Sequence, residues 1–132
     1  MGEDRNQWCF ACGPLNPIGL KLKFRHEGDT YVTTFTAGPK HQSYDGIVHG
    51  GILSTLLDET MVRYLHEQGL KAVTARLELR YRQQVPIGQE LRVISRVVSH
   101  KRNIYELAGE IYLPNGEVAV EGKATAFIIK EV

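Results

Sequence analysis

The sequence predicts an α+β domain in which one long central helix is wrapped by an antiparallel β-sheet. Three observations predict it. From Gly51 to about Gln68, apolar residues fall at Ile52, Leu53, Leu56, Leu57, Met61, Tyr64 and Leu65. That is the i, i+3, i+4, i+7 spacing of an amphipathic helix, and no other stretch of the chain keeps it. Six further runs read as strands, and short turns join the later ones into hairpins. A lone helix among six strands must cover the sheet's apolar face, because no other element can.

The elements follow in order. Residues 1–19 form an ordered leader with two of the five prolines, in Cys12-Gly13-Pro14-Leu15-Asn16-Pro17-Ile18-Gly19. Trp8, Phe10, Leu15 and Ile18 are its expected anchors on the body, a single domain spanning 20–132. Leu20 to Arg25 alternates apolar with basic and, across His26-Glu27-Gly28-Asp29, pairs with Tyr31 to Thr36 as a hairpin. A long loop from Lys40 to Val48 leads into the helix, which Gly69 ends. From Val73 to Tyr81 the apolar residues Val73, Ala75, Leu77, Leu79 and Tyr81 alternate with polar ones, as in a strand with one buried face. Leu91 to His100 and Ile104 to Leu113 make a second hairpin about Lys101-Arg102-Asn103, with Arg96 diagonal to Glu106 and Glu110. Pro114-Asn115-Gly116 turns the chain into a last strand, Val118 to Ile129.

Composition narrows the function. At 132 residues the chain has room for one core. Sixteen basic against fifteen acidic residues leave a formal +1, which gives no field for nucleic acid or a membrane surface. The polar start and the lack of any 18-residue apolar run argue against a signal peptide or a span. Both cysteines sit in Cys9-Phe10-Ala11-Cys12, too close for a stabilising disulfide framework, so a reducing cytoplasm is expected.

Chemistry concentrates on the helix. Its first amides are unpaired and carry about half a positive charge, which suits a developing oxyanion. At Gly50 and Gly51 no side chain would block a substrate carbonyl; the same glycines would equally serve close helix–sheet packing. His49, just before the helix, reads as a positioning group ahead of a general base. Glu59 has Arg63 four residues on and reads as a solvated ion pair. Asp58 has no cation at helical spacing, which makes it the candidate base or nucleophile, unless Arg76 reaches it from the sheet.

Asp58 lies eight residues beyond Gly50, or about 12 Å along the axis at about 1.5 Å per residue. One electrophilic group does not span that distance, so a site using both draws on two antiparallel helices from two copies of the chain. Cys9 and Cys12 supply half of a zinc site. No second Cys/His pair at ligand spacing accompanies them, so they read as structural thiols, with a four-thiolate site between two chains as the alternative. No metal and no cofactor are expected.

The motif His49-Gly50-Gly51, with an aspartate nine residues after the histidine, resembles hotdog-fold acyl-CoA thioesterases of the phenylacetic-acid-degradation (PaaI) type. The likeness covers Leu20 to Ile129, and the run from Cys9 to Leu20 is similar to a leader in a subset of that family. It implies a cytoplasmic hydrolase acting on an acyl-CoA, assembled as a homodimer, with two dimers joining as a homotetramer in some members. The Gly50 amide would polarise the thioester carbonyl, and Asp58 of the partner subunit would act as nucleophile or general base. The hydroxyl of Thr74 would help hold the water. An asparagine six residues before the family histidine corresponds here to Ser43, a departure for which neighbouring Gln42 is a substitute. Gly51 would border the substrate. Arg80, Arg82, Lys101 and Arg102 are candidates for the CoA phosphates, or ordinary surface charges. The non-enzymatic alternative is an acyl-CoA-sensing hotdog module. A hydroxyacyl dehydratase is the weaker enzymatic one, since no proline-rich approach precedes the histidine.

Overall fold

The structure, a computed structural model, describes residues 6–131, with backbone only at 130 and 131. Residues 1–5 of the expected leader and 132 of the expected domain lie outside the described residues. The helix α1 runs Gly50–Glu67 and buries Leu53, Leu56, Leu57, Met61 and Leu65. Each such side chain contributes about 1.5–3 kcal/mol relative to leaving it exposed. After the helix, Gly69 takes φ 84° and its amide donates to the His66 carbonyl at 3.0 Å, the expected glycine stop.

Six strands surround it: β1 (Phe24–Glu27), β2 (Thr30–Thr36), β3 (Leu70–Tyr81), β4 (Glu90–Lys101), β5 (Ile104–Tyr112) and β6 (Val118–Glu131). They form one antiparallel sheet in the order β1-β2-β4-β5-β6-β3. The helix therefore carries the chain from one side of the sheet to the other, and β3 becomes an edge. Leu57 packs against the sheet over two glycines, Gly109 and Gly122. A Cβ at Gly109 would lie 2.8 Å from the Ile94 carbonyl oxygen and 3.1 Å from Leu57, and one at Gly122 would lie 3.3 Å from Leu57. Only glycine at both positions lets the helix settle this deeply.

The architecture agrees with the sequence reading, while several local expectations are corrected. The run from Leu20 does not pair with β2 until Phe24. Lys21 takes φ 56°, and the amides of Leu20 and Leu22 donate to Phe10 and Ala11 of the leader at 2.8 and 2.9 Å. The leader is held by these bonds and by buried Ala11. Its expected anchors Trp8, Phe10, Leu15 and Ile18 are exposed, at 65%, 39%, 56% and 75%. In the second hairpin Arg96 binds Glu110 through two N–H groups at 2.9 and 2.6 Å, but Glu106 accepts from Thr125 at 2.8 Å. The reason is a register shift between Val97 and Ser99, which sets Glu106 opposite Ser99.

The correction that matters for function is in β3. Its pairing with β6 steps from Thr74↔Ala126 to Arg76↔Thr125, so Ala75 is an extra residue. A bulge of this kind switches which side of the strand each later residue faces. Ala72 and Thr74 are therefore half-buried before it and Leu77 and Leu79 after it, while Val73 is 45% exposed. The single buried face expected from Val73 to Tyr81 is split in two, and Thr74 turns toward the helix.

Candidate active site

The loop before the helix is braced by its own polar groups. His41 Nδ1 accepts from the Gly38 amide at 3.0 Å. The Gln42 side-chain oxygen accepts from the Gly46 amide at 2.5 Å, and its NH2 donates to the Pro39 carbonyl at 3.0 Å. The amides of Val48 and His49 donate to Val85 and His41, each at 2.8 Å. These contacts deliver His49 to the N-cap position with φ −62° and ψ 135°.

His49 then determines which helix amide stays free. Its Nδ1 accepts the Gly51 amide at 2.8 Å, and its carbonyl accepts those of Ile52 and Leu53 at 3.0 and 3.2 Å. Of the first four amides of a helix, which have no partner within it, the Gly50 N–H alone meets no acceptor among the described residues. Tyr81, from the end of β3, donates its hydroxyl to the Gly50 carbonyl at 3.1 Å and so ties the helix start to the sheet. The sequence reading placed Tyr81 on the buried face of its strand; it is 51% exposed and serves the helix terminus instead.

Two turns further on, the Thr74 hydroxyl donates to Asp58 Oδ1 at 2.6 Å. This is the only partner of the Asp58 side chain among the described residues, and the carboxylate is half-buried. Arg76, the alternative partner considered for it, lies 3.6 Å from Glu78. The β3 bulge is what makes the Thr74 contact. Without it, strict alternation from Leu77 would point Thr74 away from the helix.

The remaining candidates divide by position. Ser43 lies exposed in the loop, and the amide of Gln42 is engaged within that loop on both sides. Arg80 is exposed near the helix start, and Arg82 beside it is ion-paired with Glu121. Lys101 and Arg102 cap the β4–β5 turn, whose first pair beyond the tip runs Ile104↔Phe127 and on to Val73. Seven residues of β3 separate that level from Arg80, or more than about 20 Å at about 3.3 Å per residue. Within one chain the two basic pairs do not converge.

A second cluster escaped the sequence reading. Cys9 donates to Glu59 Oε2 at 3.9 Å, and Arg63 Nη1 donates to Cys12 Sγ at 3.7 Å. Glu59 is therefore not half of a solvated pair with Arg63. Both are half-buried beneath the leader, beside a cavity of about 310 Å³ that His66 and Lys71 also line. Burial, reinforced by Glu59, pushes the Cys12 thiol well above its usual range. The only trace of this cluster in the sequence is the Cys-x-x-Cys run, because its acidic member lies fifty residues further on.

Comparison with known proteins fits this geometry. The family model described as the thioesterase superfamily matches residues 45–120, the span that holds the helix start, Asp58 and Thr74. Curated proteins give no match. The E. coli PaaI protein, from the phenylacetic acid degradation operon, is 18% identical over 86% of this chain and 83% of its own, with a TM-score of 0.79. The smu.793 protein of Streptococcus mutans UA159, solved bound to acetyl CoA, is 21% identical over 83% and 90%, with a TM-score of 0.77. BH2602 of Bacillus halodurans, solved with CoA, is 26% identical over 86% and 77%, with a TM-score of 0.75. The wrapped helix they share with this chain is the hotdog fold expected from the sequence. Among the described residues no helix is long and apolar enough to cross a membrane.

Proposed function

The chain belongs to the thioesterase superfamily, and from that footing we propose that it hydrolyses an acyl-CoA thioester to the free acid and CoA. The observation that carries this reading is the Gly50 amide at the helix start, which meets no acceptor among the described residues. His49 takes the Gly51 N–H and leaves that of Gly50 open to a substrate oxygen. As the carbonyl carbon becomes tetrahedral, its oxygen gains charge at the positive end of α1. A donor preorganised there stabilises the transition state more than the ground state.

Asp58 supplies the other half of the chemistry. It takes a proton from water as the water attacks the carbonyl carbon, or attacks that carbon itself to form an acyl–Asp58 anhydride that water then hydrolyses to the free acid. In either case the C–S bond breaks, and the CoA thiolate leaves and takes up a proton from Asp58 or from solvent. The Thr74 hydroxyl occupies Oδ1 and leaves Oδ2 for the water, which fixes the rotamer of the carboxylate. Two structures of a Streptococcus pneumoniae hypothetical thioesterase carry alanine at an aspartate and, separately, at a threonine sixteen positions later. Asp58 and Thr74 are sixteen apart as well, which supports assigning them as a pair.

The axial distance of about 12 Å between Gly50 and Asp58 supports their belonging to different sites along one helix. Each site then takes its amide from one subunit and its carboxylate from the partner. The free edge of β3, twelve residues long, favours such an assembly, since a long unpaired edge is stabilised by a covering strand. A CoA lying across the dimer would meet Arg80 and Arg82 from one subunit and Lys101 and Arg102 from the other. The CoA-bound structures of S. mutans and B. halodurans proteins support an acyl-CoA as the ligand class.

The test is release of free thiol from a panel of acyl-CoAs differing in chain length, branching and aromaticity. Turnover of at least one, with competitive inhibition by CoA, is the expected result. Tight acyl-CoA binding with no thiol release from any member would overturn hydrolysis and make the protein an acyl-CoA sensor.

A further inference from the structure

The leader cluster lies outside the chemistry above, and its donor set is that of a metal site. Cys9 Sγ, Cys12 Sγ and a Glu59 carboxylate oxygen all lie within 4.8 Å of one another. From these three donors and their surroundings we propose a divalent metal site of the zinc class, two thiolates and one carboxylate, clamping the leader onto α1.

The distances fit. Zinc binds thiolate at about 2.3 Å and carboxylate at about 2.0–2.2 Å, which in a tetrahedron sets sulfur–oxygen separations near 3.5 Å. Cys9 Sγ and Glu59 Oε2 stand at 3.9 Å and no two of the three donor atoms are more than 4.8 Å apart, so closing on an ion takes a shift of at most about an ångström.

The backbone presents the cysteines in a tight turn of its own. The Gly13 amide donates to the Cys9 carbonyl at 2.8 Å, closing a loop around Phe10 to Cys12. A Cβ at Gly13 would lie 2.4 Å from the Cys9 nitrogen and from the Gln7 oxygen, so only glycine can follow Cys12 here. Both thiols are therefore held on one side of the turn, facing the helix. Their sequence spacing, C-x2-C, is that of half a zinc site. The missing half is not another Cys/His pair but a helical carboxylate.

Charge and space agree with this. Two thiolates, one carboxylate and a divalent ion sum to −1, and the guanidinium of Arg63, 3.7 Å from Cys12 Sγ, offsets it. Arg63 Nε, on the same guanidinium, is buried and has no acceptor among the described residues. Arg63 is thus placed to hydrogen-bond the ligand sulfur, the kind of outer contact that orients metal ligands. The fourth coordination position faces the cavity of about 310 Å³. His66 and Asn6 also line that cavity, bonded to each other through Nε2 and Nδ2 at 3.1 Å, and a water in the cavity is the fourth ligand. An open fourth position is the arrangement that exchanges ligands, as distinct from a closed structural site.

The experiment uses the full-length protein. It is purified without chelators, dialysed against zinc and then desalted, and zinc per chain is measured by elemental analysis; cobalt(II) is titrated into the metal-free protein. One zinc per chain is expected, with a thiolate-to-cobalt charge-transfer band and the intense visible bands of a four-coordinate ion. Cys9→Ser and Cys12→Ser should each abolish the charge-transfer signature at stoichiometric cobalt. Glu59→Gln should keep both thiolates and lose at least about ten-fold in cobalt affinity, a loss comparable to those from disturbing a metal's ligand surroundings. No retained zinc and no charge-transfer band in the wild-type protein would overturn the site. Unchanged cobalt affinity in Glu59→Gln would overturn the carboxylate as a ligand and return the cysteines to a four-thiolate site between chains. Should a cysteine variant fail to fold, the wild-type titration and the Glu59→Gln affinity still decide, since neither needs it.

Discussion

Replacing Gly50 with proline removes the proposed oxyanion donor and almost nothing else. Proline has no N–H, and at the first position of a helix that N–H is unpaired in any case, so the helix loses no internal bond. The residue before a proline must be extended, and His49 already has φ −62° and ψ 135°. The side-chain position at Gly50 is open as well, its nearest neighbour being the Tyr81 ring at 3.6 Å, ordinary contact distance. His49 still accepts from Gly51, because that amide is untouched. The fold should therefore be nearly indifferent to the change, with melting temperature within a few degrees of wild type. Turnover should not be. Losing one preorganised donor typically costs about 100- to 1000-fold in kcat, or about 2.7–4 kcal/mol of barrier. Gly50→Ala is the control: it adds a similar contact with Tyr81, keeps the amide, and should stay within about ten-fold of wild type. The assay is thiol release against the most active acyl-CoA, paired with thermal melting. A folded Gly50→Pro enzyme retaining more than about a tenth of wild-type kcat would refute the assignment of the amide.

Other expectations follow from the same geometry. Asp58→Asn keeps the shape that accepts the Thr74 hydroxyl and removes the charge, so folding and acyl-CoA affinity should persist while kcat falls at least about 100-fold, read by thiol release and by calorimetric binding. Thr74→Val should slow the wild-type enzyme, yet cost nothing further in the Asp58→Asn background if it acts only through that carboxylate; a full additive loss in the double variant would contradict this. Co-expressing the Asp58→Asn and Gly50→Pro chains should restore about a quarter of wild-type sites, because about half the dimers are mixed and each mixed dimer holds one intact site. No recovery despite proven subunit exchange would mean that the site is built within one chain. In the core, Gly109→Ala forces a Cβ to 2.8 Å from the Ile94 carbonyl and should destabilise the fold by about 1–3 kcal/mol in urea unfolding.

What the sequence made legible, and what it hid, divides along one physical line. Periodicity reports which face of an element is buried, and it served wherever an element was regular. The helix stripe from Leu53 to Leu65 is the buried stripe, and the strands from Glu90 onward form the expected hairpins, apart from the register shift between Val97 and Ser99. Local chemistry was equally readable: histidine before two glycines at a helix start, and an acid without a helical cation. Periodicity fails where the count of residues per repeat changes. The extra residue at Ala75 is invisible in a string that alternates without a break from Val73 to Tyr81, because either face of that string looks acceptable. The same bulge turns Thr74 inward, so the contact that orients Asp58 is a product of the irregularity that the pattern concealed. Contacts between distant segments are hidden for a different reason. Glu59 and Arg63 satisfy each other on paper at helical spacing, and nothing nearby signals that the leader, fifty residues earlier, folds over them. The leader was misread for the converse reason: Trp8, Phe10, Leu15 and Ile18 are its large apolar residues, yet they stay exposed. Its position is set instead by backbone bonds from Leu20 and Leu22 and by the turn at Gly13, groups whose partners no composition reveals. The leader is thus attached where polar chemistry attaches it, at two thiols and a carboxylate one residue from Asp58.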